Sequence, residues 1–359
     1  MGSTGAREQG DRACGEGGTR FGSWILLRRL GAGGMSEVFL ARPADPARAG
    51  ERVALKRLLP ELAQIPDFVE MFERETRVAS RLTHANVVLL RDSGIVDGRC
   101  YIATEYVEGL DCWKTSRRLS RLGKVLDVAR VVHIVTETLA GLDHIHTLRG
   151  DDGRPMGIVH RDISPSNVLL SRAGAVKLGD FGLALLPGEE AETKRRRRLR
   201  GKIRFLSPEQ IAGAPIDARS DLFAVGVLMA ELLLGRSPFR GDTDLAVLSS
   251  IRDVRLHMSE AFDKDVPAKL RRILLASLSR EPSERPPDAR SMRADLLDFA
   301  QRTGLSPAAA ALAETVEGLL RPGDVGDAEV LRHTLTPLED QPVVPREPTV
   351  TEQTRSVPT

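Results

Sequence analysis

The chain has 359 residues, 41% hydrophobic and 28% charged, which is enough for a two-lobed enzyme with a full core and a tail. A formal net charge of +2 gives no bulk electrostatic case for nucleic acid, and Cys14, Cys100 and Cys112 form neither a C-x-x-C pair nor a disulfide framework, which argues against a zinc site and for a reducing compartment. The longest apolar runs, such as 222–234, are interrupted by Gly226 and Glu231, and segment 1–20 lacks the apolar stretch of a secretion signal, so the expectation is a cytoplasmic protein without membrane insertion.

Residues 1–20 are Gly-rich and polar and should be disordered. Order begins with a strand pattern over 21–27. The stretch 30–40 then sets apolar ends around Gly31, Gly33 and Gly34. That predicts a hairpin with a bare tip, either a plain turn or a loop whose backbone N–H groups approach phosphate oxygens. It lacks the G-K-[ST] ending of a Walker A loop. After a Pro/Ala/Arg-rich excursion over 42–52, the strand 53–58 carries Lys56 among apolar neighbours, a setting in which lysine usually snorkels to water. Pro66 and Asp67 open a helix to about Leu82, with Phe68, Met71, Phe72, Ala79 and Leu82 on one face. Glu75 falls within that stripe, either as a rim residue reaching solvent or as a carboxylate with a buried partner, because an unpaired charge there is costly. Segments 84–90 and 101–107 read as two more strands, so about five strands and one helix precede residue 108.

A helical pattern covers 126–148; His133, His144 and His146 lack i,i+4 spacing and read as packing or surface residues rather than ligands. A Gly/Pro turn over 149–156 leads to His160-Arg161-Asp162-Ile163-Ser164-Pro165-Ser166-Asn167 and a short apolar strand. Asp162 and Asn167 can aim a carboxylate at a hydroxyl and an amide oxygen at a metal ion, and a second carboxylate, Asp180, precedes Phe181-Gly182. Beyond it, three glutamates and a basic run surround Thr193, the only hydroxyl-bearing residue between Asp180 and Ser207. Then come Ser207-Pro208-Glu209, an apolar helix opened by 217–221, and Glu281-Pro282-Ser283-Glu284-Arg285-Pro286-Pro287. Ser306-Pro307 should cap a helix ending near Leu320, and 321–359, rich in Pro, Thr and Glu, should be disordered.

The HRDISPSN loop followed by DFG, with LGAGGMSEV and VALK before them and SPE and the late arginine after them, resembles the bacterial eukaryotic-like serine/threonine protein kinases over about residues 21–300. The resemblance implies an α+β, two-lobed fold: a small N-lobe (21–107) of antiparallel strands plus one helix, and a larger, mostly helical C-lobe (108–300), flanked by 1–20 and 301–359. It implies ATP and Mg2+ as ligands, protein substrates with Ser or Thr acceptors, and a homodimer for autophosphorylation in trans. By the same match Asp162 would orient the acceptor hydroxyl, Asn167 and Asp180 would hold the metal, and Lys56 would contact the phosphates and pair with Glu75. Leu30, Gly31, Ala32, Gly33, Gly34, Val38, Ala54, Leu169, the gatekeeper Thr104 and the hinge residues Glu105 and Val107 would surround the nucleotide. His160, Arg161, Phe181, Glu209, Asp221 and Arg285 would have structural roles, with Asp221 holding the catalytic-loop backbone, Arg285 pairing with Glu209, and Arg161 helping to clamp a phosphate on Thr193.

Three positions depart from the family pattern. Ser36 replaces the third glycine of the loop, Ser164 stands where a lysine is usual, and Lys202 stands where a threonine is usual. Either the last two side chains are exchanged, Lys202 supplying the cation beside Asp162 and Ser164 the hydroxyl, or Lys202 faces solvent. The charged run around Thr193 is either solvated loop or a segment ordered by phosphorylation. The rivals are a nucleotide-binding pseudokinase scaffold and a small-molecule phosphotransferase on the same fold. The complete catalytic set speaks against the first, and the Pro208-Glu209 and Arg285 signals speak against the second.

Overall fold

A computed structural model describes residues 18–33, 35–181, 203–258, 260–305 and 309–320. The disorder expected over 1–20 does not extend to residues 19 and 20, which pair with 25 and 26 in a strand; 1–17, 321–359 and the expected cap at Ser306-Pro307 lie outside the described residues. The first lobe is a six-stranded antiparallel sheet built from β1 (Thr19–Phe21), β2 (Trp24–Ala32), β3 (Ser36–Pro43), β4 (Val53–Leu58), β5 (Leu90–Val96) and β6 (Arg99–Glu105), in the order β1-β2-β3-β4-β6-β5. Helix α1 (Pro66–Ala79) crosses this sheet. Proline at its first turn and Asp67 beside the N-terminal backbone donors suit a helix start. Phe72 packs with Leu58, Cys100 and Ile102 of the sheet, while a second apolar cluster around Trp24, Leu26, Phe39 and Leu55 fills the rest of the lobe.

Two sequence expectations change here. The helix ends at Ala79 rather than near Leu82: backbone bonds Arg81 N to Val78 O and Leu82 N to Ala79 O tighten the chain into a turn that still delivers Leu82 to the core. Segment 84–89 is a loop, and the strand begins only at Leu90. The apolar residues Val87 and Val88 are buried, but the backbone beside them bonds to the other lobe. Val88 N donates to Leu178 O, and Leu178 N donates to Asn86 O. The Asn86 amide also donates to Val176 O and Glu137. Apolar content predicted burial correctly and its partner wrongly.

The second lobe comprises α2 (Cys112–Arg121), α3 (Val128–His146), α4 (Pro208–Ala212), α5 (Ala218–Leu234), α6 (Asp244–Arg252), α7 (Glu260–Asp265), α8 (Ala268–Ser277), α9 (Ala289–Thr303) and α10 (Ala309–Leu319). A three-stranded sheet, β7 (Gly109–Asp111), β8 (Val168–Ser171) and β9 (Val176–Leu178), lies on the side facing the first lobe. The α+β, two-lobed architecture implied by the resemblance is therefore present. Asp127, Asp217 and Asp288 each accept a bond from a first-turn N–H of the helix they precede, and left-handed Gly235 and Gly304 end α5 and α9. Helices α3 and α5 form the centre. Val131, Val135, Leu139, Leu142 and Ile145 of α3 and Leu222, Phe223, Val225 and Val227 of α5 are fully buried, each contributing about 1.5–3 kcal/mol. Among the described residues no helix is long and apolar enough to cross a membrane.

The loop 84–89 rests directly on α3 because Gly141 leaves room for it: a Cβ at 141 would lie 2.7 Å from Asn86 O. Gly141→Ala should therefore lower unfolding free energy by about 1–3 kcal/mol despite the better helix propensity of alanine, as measured by denaturant titration.

Candidate active site

Strand register assembles the upper wall of the site. Val38 opposes Lys56, which opposes Ile102, and Ala54 opposes Thr104. Directly paired residues share a sheet face, so Val38, Ala54, Lys56 and Thr104 stand on one surface. The turn between β2 and β3 closes through Gly33 N donating to Ser36 O at 2.8 Å. Leu30, Gly31 and Ala32 lie on the strand entering it; Gly34 lies outside the described residues.

The Lys56 ammonium contacts both Glu75 oxygens, at 2.8 and 2.9 Å, and Asp180 Oδ1 at 3.2 Å. Glu75, only 6% exposed, is thus the paired carboxylate of the two alternatives. A single cation joins β4, α1 and the segment after β9, spanning both lobes. The Glu105 carboxylate accepts from Leu89 N and from the Lys177 ammonium at 2.7 Å, fixing the chain at the entrance to Val107 and β7. Leu169 sits on β8 opposite Asp111 and Lys177.

Below, Asp162 and Asn167 meet: the Asn167 amide nitrogen donates to Asp162 O at 2.7 Å and to Asp162 Oδ2 at 3.0 Å. With its NH2 group engaged there, Asn167 turns its carbonyl oxygen toward the Ser166 hydroxyl, 3.5 Å away. Gly179 N donates to Asn167 O at 2.9 Å, which brings the neighbouring Asp180 close to Asn167. Ser164 is buried and its hydroxyl lies 3.1 Å from that of Ser166. Lys202 and Thr193 lie outside the described residues.

Asp221, at the start of α5, holds this loop. Its two carboxylate oxygens accept from His160 N and Arg161 N, both at 2.8 Å, and from His146 Nε2 at 2.8 Å. Burial disfavours the ionised carboxylate, but His146 and His160 more than offset this and hold Asp221 below the usual range. The His160 ring packs against Phe181. Arg161 and Asp180 both adopt left-handed backbone, with φ of 63° and 61°. Farther out, Arg285, 3% exposed, grips Glu209 at 2.7 and 2.8 Å and stacks over Phe223. Burial again opposes the Glu209 charge, and the Arg285 and Ser220 bonds overcome it, lowering its pKa.

His146, Lys177 and Asn86 were not singled out for these positions by the sequence. His146 lies in the last turn of α3, and nothing local to it points to a partner at residue 221. Lys177 does show a signal, as a charged residue between the apolar positions of a strand.

The donor chemistry suits a hard cation: the Asn167 carbonyl and the Asp180 carboxylate are oxygen ligands. Among the described residues no group of three or more His, Cys, Asp or Glu could hold a metal by itself.

Comparison with known proteins agrees with this geometry. Residues 24–296 match the protein kinase domain family. The chain is 37% identical over 278 residues to tyrosine-protein kinase MasK of Myxococcus xanthus, covering 77% of this chain and 43% of that protein. It is 32% identical over 275 residues to serine/threonine-protein kinase PrkC of Bacillus subtilis, covering 77% and 40%. It is 33% identical over 273 residues to serine/threonine-protein kinase PknB of Mycobacterium leprae, covering 75% and 41%. The chain thus spans less than half the length of these relatives. A crystal structure of the Mycobacterium tuberculosis PknI kinase domain superposes with a TM-score of 0.57 at 30% identity, covering 79% of this chain and 98% of that one.

Arg285→Ala would leave Glu209 buried without its cation, with only the Ser220 hydroxyl as side-chain donor, and should cost about 3–5 kcal/mol in denaturant unfolding. The stability carried by Glu209 and Asp221 is complete above their ordinary values of 4.5 and 3.8 and is lost as pH falls through the depressed folded values. Unfolding free energy should therefore decline as the pH is lowered through the carboxylate range, and Asp221→Asn should flatten part of that slope.

Proposed function

The chain belongs to the protein kinase family, and we propose that it transfers the γ-phosphoryl group of ATP to serine and threonine hydroxyls of proteins. The observation that carries this reading is the contact of Lys56 with both Glu75 and Asp180, which joins the two lobes around one cleft. In this reading Lys56 and the backbone of 31–34 bind the phosphates. Thr104, Glu105 and Val107 border the adenine, with Leu30, Val38, Ala54 and Leu169 as its apolar walls. Asn167 and Asp180 hold Mg2+, which would neutralise phosphate charge when bound. Asp162 accepts a hydrogen bond from the acceptor hydroxyl and orients it, so most of the rate comes from positioning and electrostatics. A pseudokinase scaffold is disfavoured because Lys56, Glu75, Asp162, Asn167 and Asp180 all have the chemistry that transfer needs.

The basic run around Thr193, and Arg161 directly before Asp162, support activation by a phosphate on Thr193, added in trans within a transient homodimer. Lys202 would supply the cation beside Asp162 that position 164 lacks. Cys100 and Cys112 are free and buried, which suits a reducing compartment, and we place the enzyme in the cytoplasm. One observation favours a second reading, transfer to tyrosine: MasK, 37% identical, is named a tyrosine kinase, although Pro165 and the rest of the loop follow the serine/threonine style.

Incubation with labelled ATP, Mg2+ and a generic basic protein should give phosphoserine and phosphothreonine; phosphotyrosine alone would favour the second reading. Asp162→Asn should lower kcat by about 10²–10⁴-fold, and wild-type turnover by Asp180→Asn would refute the metal assignment. Thr193→Ala should remain in a low-activity state, and Lys202→Ala should lower kcat more than it raises KM for ATP.

A further inference from the structure

Helix α10 begins at Ala309, beyond the matched residues 24–296, yet it is built into the second lobe. Leu312 and Val316 are 0% exposed, and with Leu319 they join the same apolar cluster as Leu119, Val131 and Leu170. The seat is shaped for the helix backbone. Gly174, with φ of +80°, turns beneath it, and a Cβ there would lie 1.9 Å from Ala309 O. Arg130 of α3 donates to Ala311 O and the Thr315 hydroxyl. Arg118 of α2 donates to Leu319 O at 2.8 Å, satisfying a carbonyl that a helix end leaves without an intrahelical donor and placing a cation at the negative pole.

The same helix reaches the nucleotide side of the lobe through Arg172. That guanidinium grips Glu317 with two bonds of 2.8 Å and Glu108 with one of 2.9 Å, while Arg172 N donates to Glu108 O. Glu108 directly follows the segment 105–107, and Arg172 directly follows β8, the strand that carries Leu169. Each exposed ion pair is weak alone; the buried stripe supplies the anchorage and the charges set the register.

We propose that α10 is a brace for the nucleotide site, holding segment 105–108 and the β7–β8 floor in one arrangement through Arg172, so that its docking sets nucleotide affinity and Arg172 and Glu317 act as positioning residues. This rests on the kinase reading above. It makes 309–319 part of the catalytic unit, although the family match ends before it.

Hydrogen exchange of the full chain without nucleotide tests the brace independently of catalysis. In Leu312→Asp/Val316→Asp the amides of 105–111 and 168–171 should exchange about tenfold faster, and KM for ATP should rise about tenfold with kcat changed less than about twofold. Glu317→Arg, a surface change that leaves the core intact, should give the same pattern at about two- to threefold and decides the matter if the double variant does not fold. Unchanged exchange in a folded variant, or a loss confined to kcat, overturns the proposal. Failure of the unsubstituted chain to bind ADP with Mg2+ would instead remove the kinase reading, while the exchange result would still judge whether the helix holds the segment.

Discussion

The lower half of the site depends on one buried carboxylate. Asp221 accepts two consecutive backbone N–H groups, from His160 and Arg161, and a third bond from His146. These contacts come from the loop and from α3, while the carboxylate itself is fixed in the strongly apolar helix α5. A charge at such depth is tolerated only because its oxygens are satisfied. The arrangement converts the rigidity of the α3–α5 core into the orientation of a loop that has almost no regular structure of its own, and Asp162 inherits that orientation one residue later.

The upper half is positioned differently. Among the described links between this lobe and the second, two differ in character. One is apolar and backbone-mediated: residues 86–88 lie on α3 over Gly141 and pair with Leu178. The other is ionic, through Lys56 to Asp180. The first is short and buried. The second engages all three ammonium donors of Lys56 and ends on the more exposed Asp180 carboxylate.

Much of this was legible in the sequence, because the residues that carry chemistry are also those whose backbone neighbours are constrained. The glycine-centred hairpin, the lysine in an apolar strand and the Asp-to-Asn spacing each suggest a local geometry, while the stripe containing Glu75 left it as either a rim residue or a paired carboxylate, and the family resemblance named Lys56 as the partner. The failures share one cause. Residues 84–90 are apolar enough for a strand, but apolar content does not say which surface does the burying, and here it is the second lobe. Leu82 fits the helical stripe and is buried, yet reaches its place through a tight turn. His146 and Arg172 act on partners 75 and 145 residues away, and no local pattern encodes such pairings. The helix at 309–319 was visible as a helix, but its seat on α2, α3 and β8 was not.

The left-handed backbone at Arg161 and Asp180 has an evolutionary corollary. Neither residue is glycine, and such a conformation costs an ordinary side chain about 1–2 kcal/mol. At both places glycine would relieve the torsion and lose the functional group. Selection for thermal robustness alone would therefore push these two codons toward glycine, so their retention in a lineage would mark a chain still under selection for turnover, and their drift would be an early sign of a relative surviving only as a scaffold.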